Sequence, residues 1–552
     1  MKLSTFLTTL LFSFLLAANG KAQLISHTFM GDWDLDDLDM ILEDFDPPQG
    51  LLNLDFEVEA WKLTYNTPAP DGSMTTATGA IVIPKGYTCP LPLANYNHGT
   101  VHHATGVPSH FSTELNVGLL FASMGYVVTL PDYIGLGDSP FPYHPYIHGE
   151  SHGMTTVNML RAARELSDIL SFELNDQLFL FGYSQGGYAA MASHKMIQEQ
   201  FSDEFTVTAS APMSGPYDVS GAQTIYITGD NPYPTPGYLP YVLLAYNEIY
   251  DLLDNLDEAL VEPYLTTLPP IFFDKTATMG DFNNACPDVP NQILVPELLQ
   301  EFETENDHFF RVRLQENDVH DWTPSSPMFI LGCNGDDQVS FNSAINAHAN
   351  FVANGAPDVS INDFGPFDHG GCVEFCLIAG KFFFDGKRDL TNGMELSFDI
   401  TEESSVGAMD GSITVTATGG AGNYDYMWDD GTNGQTISGL SNSETFTITV
   451  MDDLGCSISE DITLELSTSV FTADSRPARI FPNPASSNVV IEIPASSSAY
   501  DLVIRDMTGK VVRQYEGLSQ GNFIMERNGL QNGVYLVELN GDKRLHGKLM
   551  FF

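Results

Sequence analysis

LFLFGYSQGG, residues 178–187, decides how the chain is read. Leu178 to Phe181 has the length and bulk of a buried strand, and the Ala-rich Tyr188-Ala189-Ala190-Met191 that follows favours helix. Between them stands Gly182-Tyr183-Ser184-Gln185-Gly186, a G-x-S-x-G. The spacing has a steric cause. A sharp strand-to-helix turn strains the serine backbone, and only glycine two residues to either side leaves room for it. The Ser184 hydroxyl is then exposed at the top of a sheet, over a helix N-terminus whose free N–H groups favour developing negative charge. A bare G-x-S-x-G also arises by chance in Gly-rich turns. The flanking strand and helix make Ser184 the candidate nucleophile.

A nucleophilic serine needs a base, and the base needs an orienting carboxylate. Pro327 to Leu331 is strand-like and ends in Gly332-Cys333-Asn334-Gly335-Asp336-Asp337-Gln338-Val339. Asp336, in the turn leaving that strand and three residues before Val339, is the candidate acid. Asp337 is its rival, and the plainer alternative is two solvated turn aspartates. Val359 to Phe364 reads as the last strand and leads into Gly365-Pro366-Phe367-Asp368-His369-Gly370-Gly371. Of the 14 histidines, His369 alone has both the right order and the right loop for the base. Leu91 to Tyr96 is a short apolar strand running into Asn97-His98-Gly99-Thr100. An oxyanion would take one N–H from Gln185 and a second from this loop, Thr100 first and Gly99 next. Removing one such donor typically costs about 3 kcal/mol in the barrier.

Residues of roughly 50 to 390 resemble an α/β-hydrolase, and within that fold the secretory lipases of the fungal lipase A type. The resemblance rests on YNHGT (96–100), PDYIGLGDS (131–139), FGYSQGG (181–187), HDWTPSSPMFILGCNGDDQV (320–339) and FDHGG (367–371). It implies a mostly parallel sheet with helices on both faces, and a triad in the chain order serine, acid, histidine. Two departures touch the acid loop. Gly332-Cys333 replaces a frequent His-Gly, and Ser340 stands where proline is common.

A chain of 552 residues is long enough for about three domains. It opens with Met1-Lys2, an apolar core from Leu10 to Leu16, and small residues up to Ala22. That is a signal peptide, 1–22, with no membrane span after its removal. Lys and Arg number 22 against 72 Asp and Glu, a net charge of −50. Such a surface excludes non-specific binding to nucleic acid or anionic membrane. Export permits disulfides among the 6 cysteines. A Cys333–Cys372 bridge would tie acid and base loops together, whereas Cys372–Cys376 would constrain little; the pairing stays open.

After the strand Phe205 to Ala211 the chain leaves the sheet at about Tyr217 and returns at Pro327. The insertion, about 217–320 between strands six and seven of the hydrolase sheet, is a cap. Such caps cover the serine, exclude water and select the acyl chain. Its apolar positions from Tyr238 to Leu253 would line a pocket or form the cap's own small core, or both. Asp32, Asp34, Asp36 and Glu43 invite a calcium reading, but Asp37 stands where a calcium loop needs glycine. Leu35, Leu38, Ile41 and Leu42 suit an acidic amphipathic helix instead. His98, His102 and His103 lack the partners that zinc needs. No metal and no cofactor is expected.

Past Leu390 the composition changes to short alternating strands. GSITVTATGG, YDYMWDDG and FTITVMDDLGC resemble the SprB-type repeat, with a spacer role expected over 397–467. A linker, Ser467 to Arg479, leads into FPNP, VIRDMTGKVV and GLQNGVYLVEL. These resemble the C-terminal sorting domain of type IX secretion substrates, 474–552. The resemblance implies passage through the periplasm to the cell surface or medium, and the type IX machinery as a partner.

The expectation is an α/β-hydrolase catalytic domain, 23–390, with an inserted cap, followed by two all-β sandwich domains. The activity expected is a secreted carboxylesterase or lipase acting on a lipid, short acyl or polymer ester through Ser184, His369 and Asp336. A serine peptidase or amidase on the same fold is one rival, although no carboxylate pair for a substrate amine is evident. A non-catalytic surface adhesin is the other, and nothing in packing alone demands a strained exposed serine.

Overall fold

The computed structural model describes residues 24–551, apart from 46, 48–50, 88, 392, 406, 442–443, 465–477, 496–498, 508 and 542–543. The signal peptide expected at 1–22 lies outside the described residues, as does most of the linker expected at Ser467 to Arg479. The chain divides into two compact units. One comprises Met1–Ile400, Ser412–Ser438 and Thr445–Ile462, and the other Thr401–Gly411, Gly439–Glu444 and Thr463–Phe552.

The larger unit is built on nine strands: β1 (Leu24–Trp33), β2 (Val58–Pro68), β3 (Met74–Pro84), β4 (Leu91–Asn97), β5 (Val127–Pro131), β6 (Leu174–Tyr183), β7 (Val207–Met213), β8 (Met328–Gly332) and β9 (Val359–Asp363). Their spatial order is β1-β2-β3-β5-β4-β6-β7-β8-β9. The first three run antiparallel and β3 pairs antiparallel with β5, whereas β5, β4, β6, β7, β8 and β9 are mutually parallel. With helices on both faces this is an α/β-hydrolase fold. Alternation along β6 shows why a wholly apolar run is needed. Leu178 and Leu180 pack on one face with Val157, Leu160 and Leu166 of a long helix. Phe179 and Phe181 pack on the other with Phe121, Leu377 and Phe384. Both phenylalanines are wholly buried, and each contributes on the order of 2–3 kcal/mol.

The α-helices are α1 (Leu35–Asp44), α2 (Glu114–Ser123), α3 (Gly149–Leu170), α4 (Gln185–Gln200), α5 (Thr224–Ile227), α6 (Tyr238–Tyr250), α7 (Tyr264–Phe273), α8 (Met279–Ala285), α9 (Pro296–Thr304), α10 (Phe309–Glu316), α11 (Phe341–Ala353) and α12 (Val373–Asp385). The acidic N-terminal stretch is helical. Asp34 caps α1 by accepting the N–H of Asp37, and Leu38 is fully buried. Helices α5 to α10 all lie between β7 and β8. The two stems of this insertion are pinned together, with Val319 N–H donating to Tyr217 O at 3.0 Å. Asp318 accepts both the N–H and the hydroxyl of Ser220, at 2.9 and 2.5 Å.

Beyond α12 the regular elements among the described residues are all strands. Residues 395–463 form two three-stranded sheets, and residues 480–551 form a three-stranded and a four-stranded sheet. A Cys89–Cys456 disulfide within the larger unit joins positions 367 apart in sequence. A second, Cys333–Cys372, ties the loop after β8 to the loop after β9, and Cys286 and Cys376 remain thiols.

Candidate active site

Parallel pairing brings the ends of the strands to one edge of the sheet. Asn97 pairs with Gly182, Tyr183 with Met213, Met213 with Leu331, and Gly332 with Asp363. The segments that follow, at 98–100, 184, 333–339 and 364–372, therefore emerge together. Ser184 stands at the tip of the β6–α4 turn with φ 61° and ψ −123°, a strained conformation for a residue with a side chain. The flanking glycines answer to close approach. A Cβ on Gly182 would lie 2.4 Å from Gly186 O, and one on Gly186 would lie 1.8 Å from Asn97 O.

His369 is held at two points by the two candidate acids. Its Nδ1–H donates to Asp336 Oδ2 at 2.7 Å, while its backbone N–H donates to Asp337 Oδ1 at 3.1 Å. The two aspartates are thus divided between ring and backbone. With Nδ1 carrying the proton, Nε2 is the nitrogen free to accept one. Asp336 is itself fixed. Its Oδ1 accepts the N–H groups of Gln338 and Val339 at 2.9 and 2.8 Å, the physical content of the D-x-x-V spacing. Tyr183, next to Ser184, packs its ring 5.0 Å from the His369 ring and donates its hydroxyl to His369 O at 2.6 Å. Ser184, Asp336 and His369 are all nearly buried, at 5, 7 and 7% exposure.

The loop after β4 lies against the serine turn. Gly99 sits where a Cβ would be 3.8 Å from Tyr183 O, and Thr100 Oγ1 lies 3.0 Å from the Tyr146 hydroxyl. The Gln185 carboxamide donates to His144 Nε2 at 2.6 Å. Burial pushes His144 down to about 3, so its imidazole is neutral. The ring nitrogens of His98 and His102 face backbone carbonyls: Gly99 O and Asp132 O for the first, Ala277 O and Phe272 O for the second.

Ser184 and Gln185 line an apolar pocket. Its walls include Tyr238, Leu239, Val242, Leu243, Leu252 and Leu253, the stretch whose lining role the sequence left open. Leu298, Phe302 and Phe310 come from later parts of the same insertion. Several contact residues escaped the sequence reading: Tyr146, Tyr183, His144 and His152. A signal existed in HPYIHGESH (144–152), whose histidines recur every four residues ahead of and into α3.

The Secretory lipase family model matches residues 108–228, the SprB repeat matches 397–433, and the Secretion system C-terminal sorting domain matches 479–550. The rice cell wall degrading esterase LipA from Xanthomonas oryzae, in a ligand-bound form, is similar at 28% identity and a TM-score of 0.61. That likeness covers 67% of this chain and all of LipA. A hydrolase from Legionella pneumophila is similar at 26% identity and a TM-score of 0.61, over 66% of this chain and 98% of its own. Candida antarctica lipase A in its closed state shares the fold at 16% identity and a TM-score of 0.53, over 67% and 82%. No curated protein matches the chain. The catalytic region is that of a carboxylesterase or lipase, an ester hydrolase. The type IX sorting domain marks the protein as secreted or cell-surface, and no helix among the described residues is long and apolar enough to cross a membrane.

Proposed function

We propose that the chain hydrolyses carboxylic esters through Ser184, His369 and Asp336 by way of an acyl-enzyme. Ser184 Oγ attacks the ester carbonyl while His369 Nε2 takes its proton. Asp336 holds the ring through Nδ1–H and stabilises the imidazolium. The N–H of Gln185 and that of Thr100, with Gly99 the alternative second donor, meet the oxyanion. Collapse expels the alcohol, which takes its proton from His369. A water molecule then loses a proton to the same imidazole and attacks the acyl carbonyl, and the carboxylic acid leaves as Ser184 regains its proton. None of these steps calls for a cofactor.

The observation that carries this reading is the held imidazole: Nδ1–H on a buried carboxylate at 2.7 Å, with Ser184 on a strained turn at the same edge of the sheet. The pocket's apolar walls support an ester whose acyl part is apolar. The proposed division of the chain is a signal peptide (1–22), a catalytic domain (23–390) with its cap (about 217–320), a SprB-like spacer (397–467) and a sorting domain (474–552) that engages the type IX machinery. The test compares the mature chain with Ser184→Ala on p-nitrophenyl esters from acetyl to palmitoyl. Hydrolysis abolished by the substitution is expected. A folded wild-type chain inactive on every ester would sink the proposal.

A further inference from the structure

The PDYIGLGDS loop and the histidines of 144–152 have no part in the chemistry above, yet they occupy the buried floor beneath Gln185 and the 98–100 loop. His144 Nδ1 lies 2.9 Å from Ile134 O. A carbonyl can only accept, so Nδ1 carries the proton and the neutral ring presents a bare Nε2. The Gln185 carboxamide must therefore donate to it, and the 2.6 Å contact fixes which end of the amide is nitrogen. The second hydrogen of that nitrogen points to His152 Nε2 at 3.4 Å. Tyr133 stacks on His144, with centroids 5.5 Å apart and planes inclined by 16°, and His152 meets Tyr133 edge-on at 4.7 Å. The Tyr133 hydroxyl donates to His98 O at 2.9 Å, inside the loop that carries Gly99 and Thr100. Tyr133 itself is held at φ 71°, a backbone conformation that a tyrosine adopts only when its surroundings impose it. One buried cluster thus touches the Gln185 side chain and the backbone of the 98–100 loop, the two places that the proposed function assigns to the oxyanion.

We infer that His144 and Tyr133 are positioning residues that set the two oxyanion donors in register, His144 through the Gln185 side chain and Tyr133 through the His98 carbonyl. The inference rests on the proposed ester hydrolase reading. An oxyanion hole stabilises charge only if its donors are fixed before that charge appears. The first turn of α4 packs its backbone against Asn97 O, and the Gln185 side chain adds a second anchor on a neutral buried imidazole.

The experiment uses the mature chain with His144→Phe, Gln185→Met, their double substitution and Tyr133→Phe. The Gln185→Met protein keeps the backbone N–H and loses only the carboxamide. His144→Phe and Gln185→Met are each expected to lower kcat by about 10- to 100-fold with KM held within about threefold. Both should weaken inhibition by an alkylboronic acid, a mimic of the tetrahedral adduct, by a similar factor. The double variant should lose no more than the worse single one, because both cut the same link. Tyr133→Phe should show the same pattern with a smaller loss. Single variants with wild-type kcat and boronate affinity, or losses that multiply in the double variant, overturn the inference. If His144→Phe fails to fold, the Gln185→Met kcat and boronate affinity decide alone. Ser184→Ala separates the two levels. Ester hydrolysis persisting there overturns the underlying reading, whereas hydrolysis lost there but untouched in the His144 and Gln185 variants overturns this inference only.

Discussion

The two sides of Ser184 are built from opposite materials. On the base side, loops 333–339 and 364–372 are held by carboxylates. Asp336 takes the His369 ring, Asp337 takes its backbone, and Asp363 accepts the N–H groups of Asn334 and Gly365, while a disulfide closes the loops together. On the oxyanion side, the groups that touch the Gln185 side chain are the imidazoles of His144 and His152, both kept neutral by burial. Under the proposed mechanism the difference follows the charge that each side would meet. A cation would appear on the base, where a fixed anion stabilises it, and an anion on the substrate, where oriented neutral dipoles stabilise it.

That contrast can be broken most severely at the carboxylate. Asp336→Asn should lower kcat by about 10⁴-fold at nearly unchanged KM, because the amide favours the wrong imidazole tautomer. A loss under tenfold would assign the ring's orientation elsewhere. The disulfide comes next. Cys333–Cys372 closes a separation of 39 residues, and chain entropy then predicts about 4 kcal/mol of stability lost in Cys333→Ser/Cys372→Ser. Urea unfolding of the double variant measures this, and an unchanged midpoint would show that the loops hold without it.

Acid sharpens the comparison from the neutral side. Burial lowers His148 to about 4 and His144 to about 3. The unfolded value is near 6.5, so below it the unfolded chain binds protons that the folded one refuses. Stability from each is whole above about 6.5 and is lost as the pH falls toward 4. From pH 7 to 5 the loss is about 2 kcal/mol for each histidine. His148→Gln should remove one such share from the difference in unfolding free energy between the two pH values. The same slope in wild type and variant would contradict this. The smallest effect belongs to Asp337→Asn. It weakens one backbone bond to His369, worth about 1 kcal/mol, and kcat should fall no more than about tenfold.

How far each part was legible follows from how local its cause is. The elbow at 182–186 announces itself because the steric demand falls on residues two apart, and the sheet follows from runs such as Leu178 to Phe181. The acid and base loops are marked by their place after apolar strands. The sequence favours Asp336 over Asp337 only by its place three residues before Val339, since both are ordinary turn residues; the fold adds that Asp336 meets the His369 ring and Asp337 its backbone N–H. The Cys89–Cys456 bridge spans 367 residues, a distance over which no pattern carries pairing information. HPYIHGESH was visible, but its meaning depends on Tyr133 and Gln185, which reach it only through tertiary packing. The antiparallel strands β1 to β3 ahead of the parallel ones likewise depend on long-range partners.

The central claim is that Ser184 is the atom acylated in turnover. Treating the mature chain with an excess of a p-nitrophenyl phosphonate ester, followed by intact and peptide mass spectrometry, tests it directly. One adduct per chain on the peptide containing Ser184, with ester hydrolysis falling in step with labelling, is the result predicted. Labelling at another residue, or full hydrolysis by a chain whose Ser184 is fully modified, would contradict it.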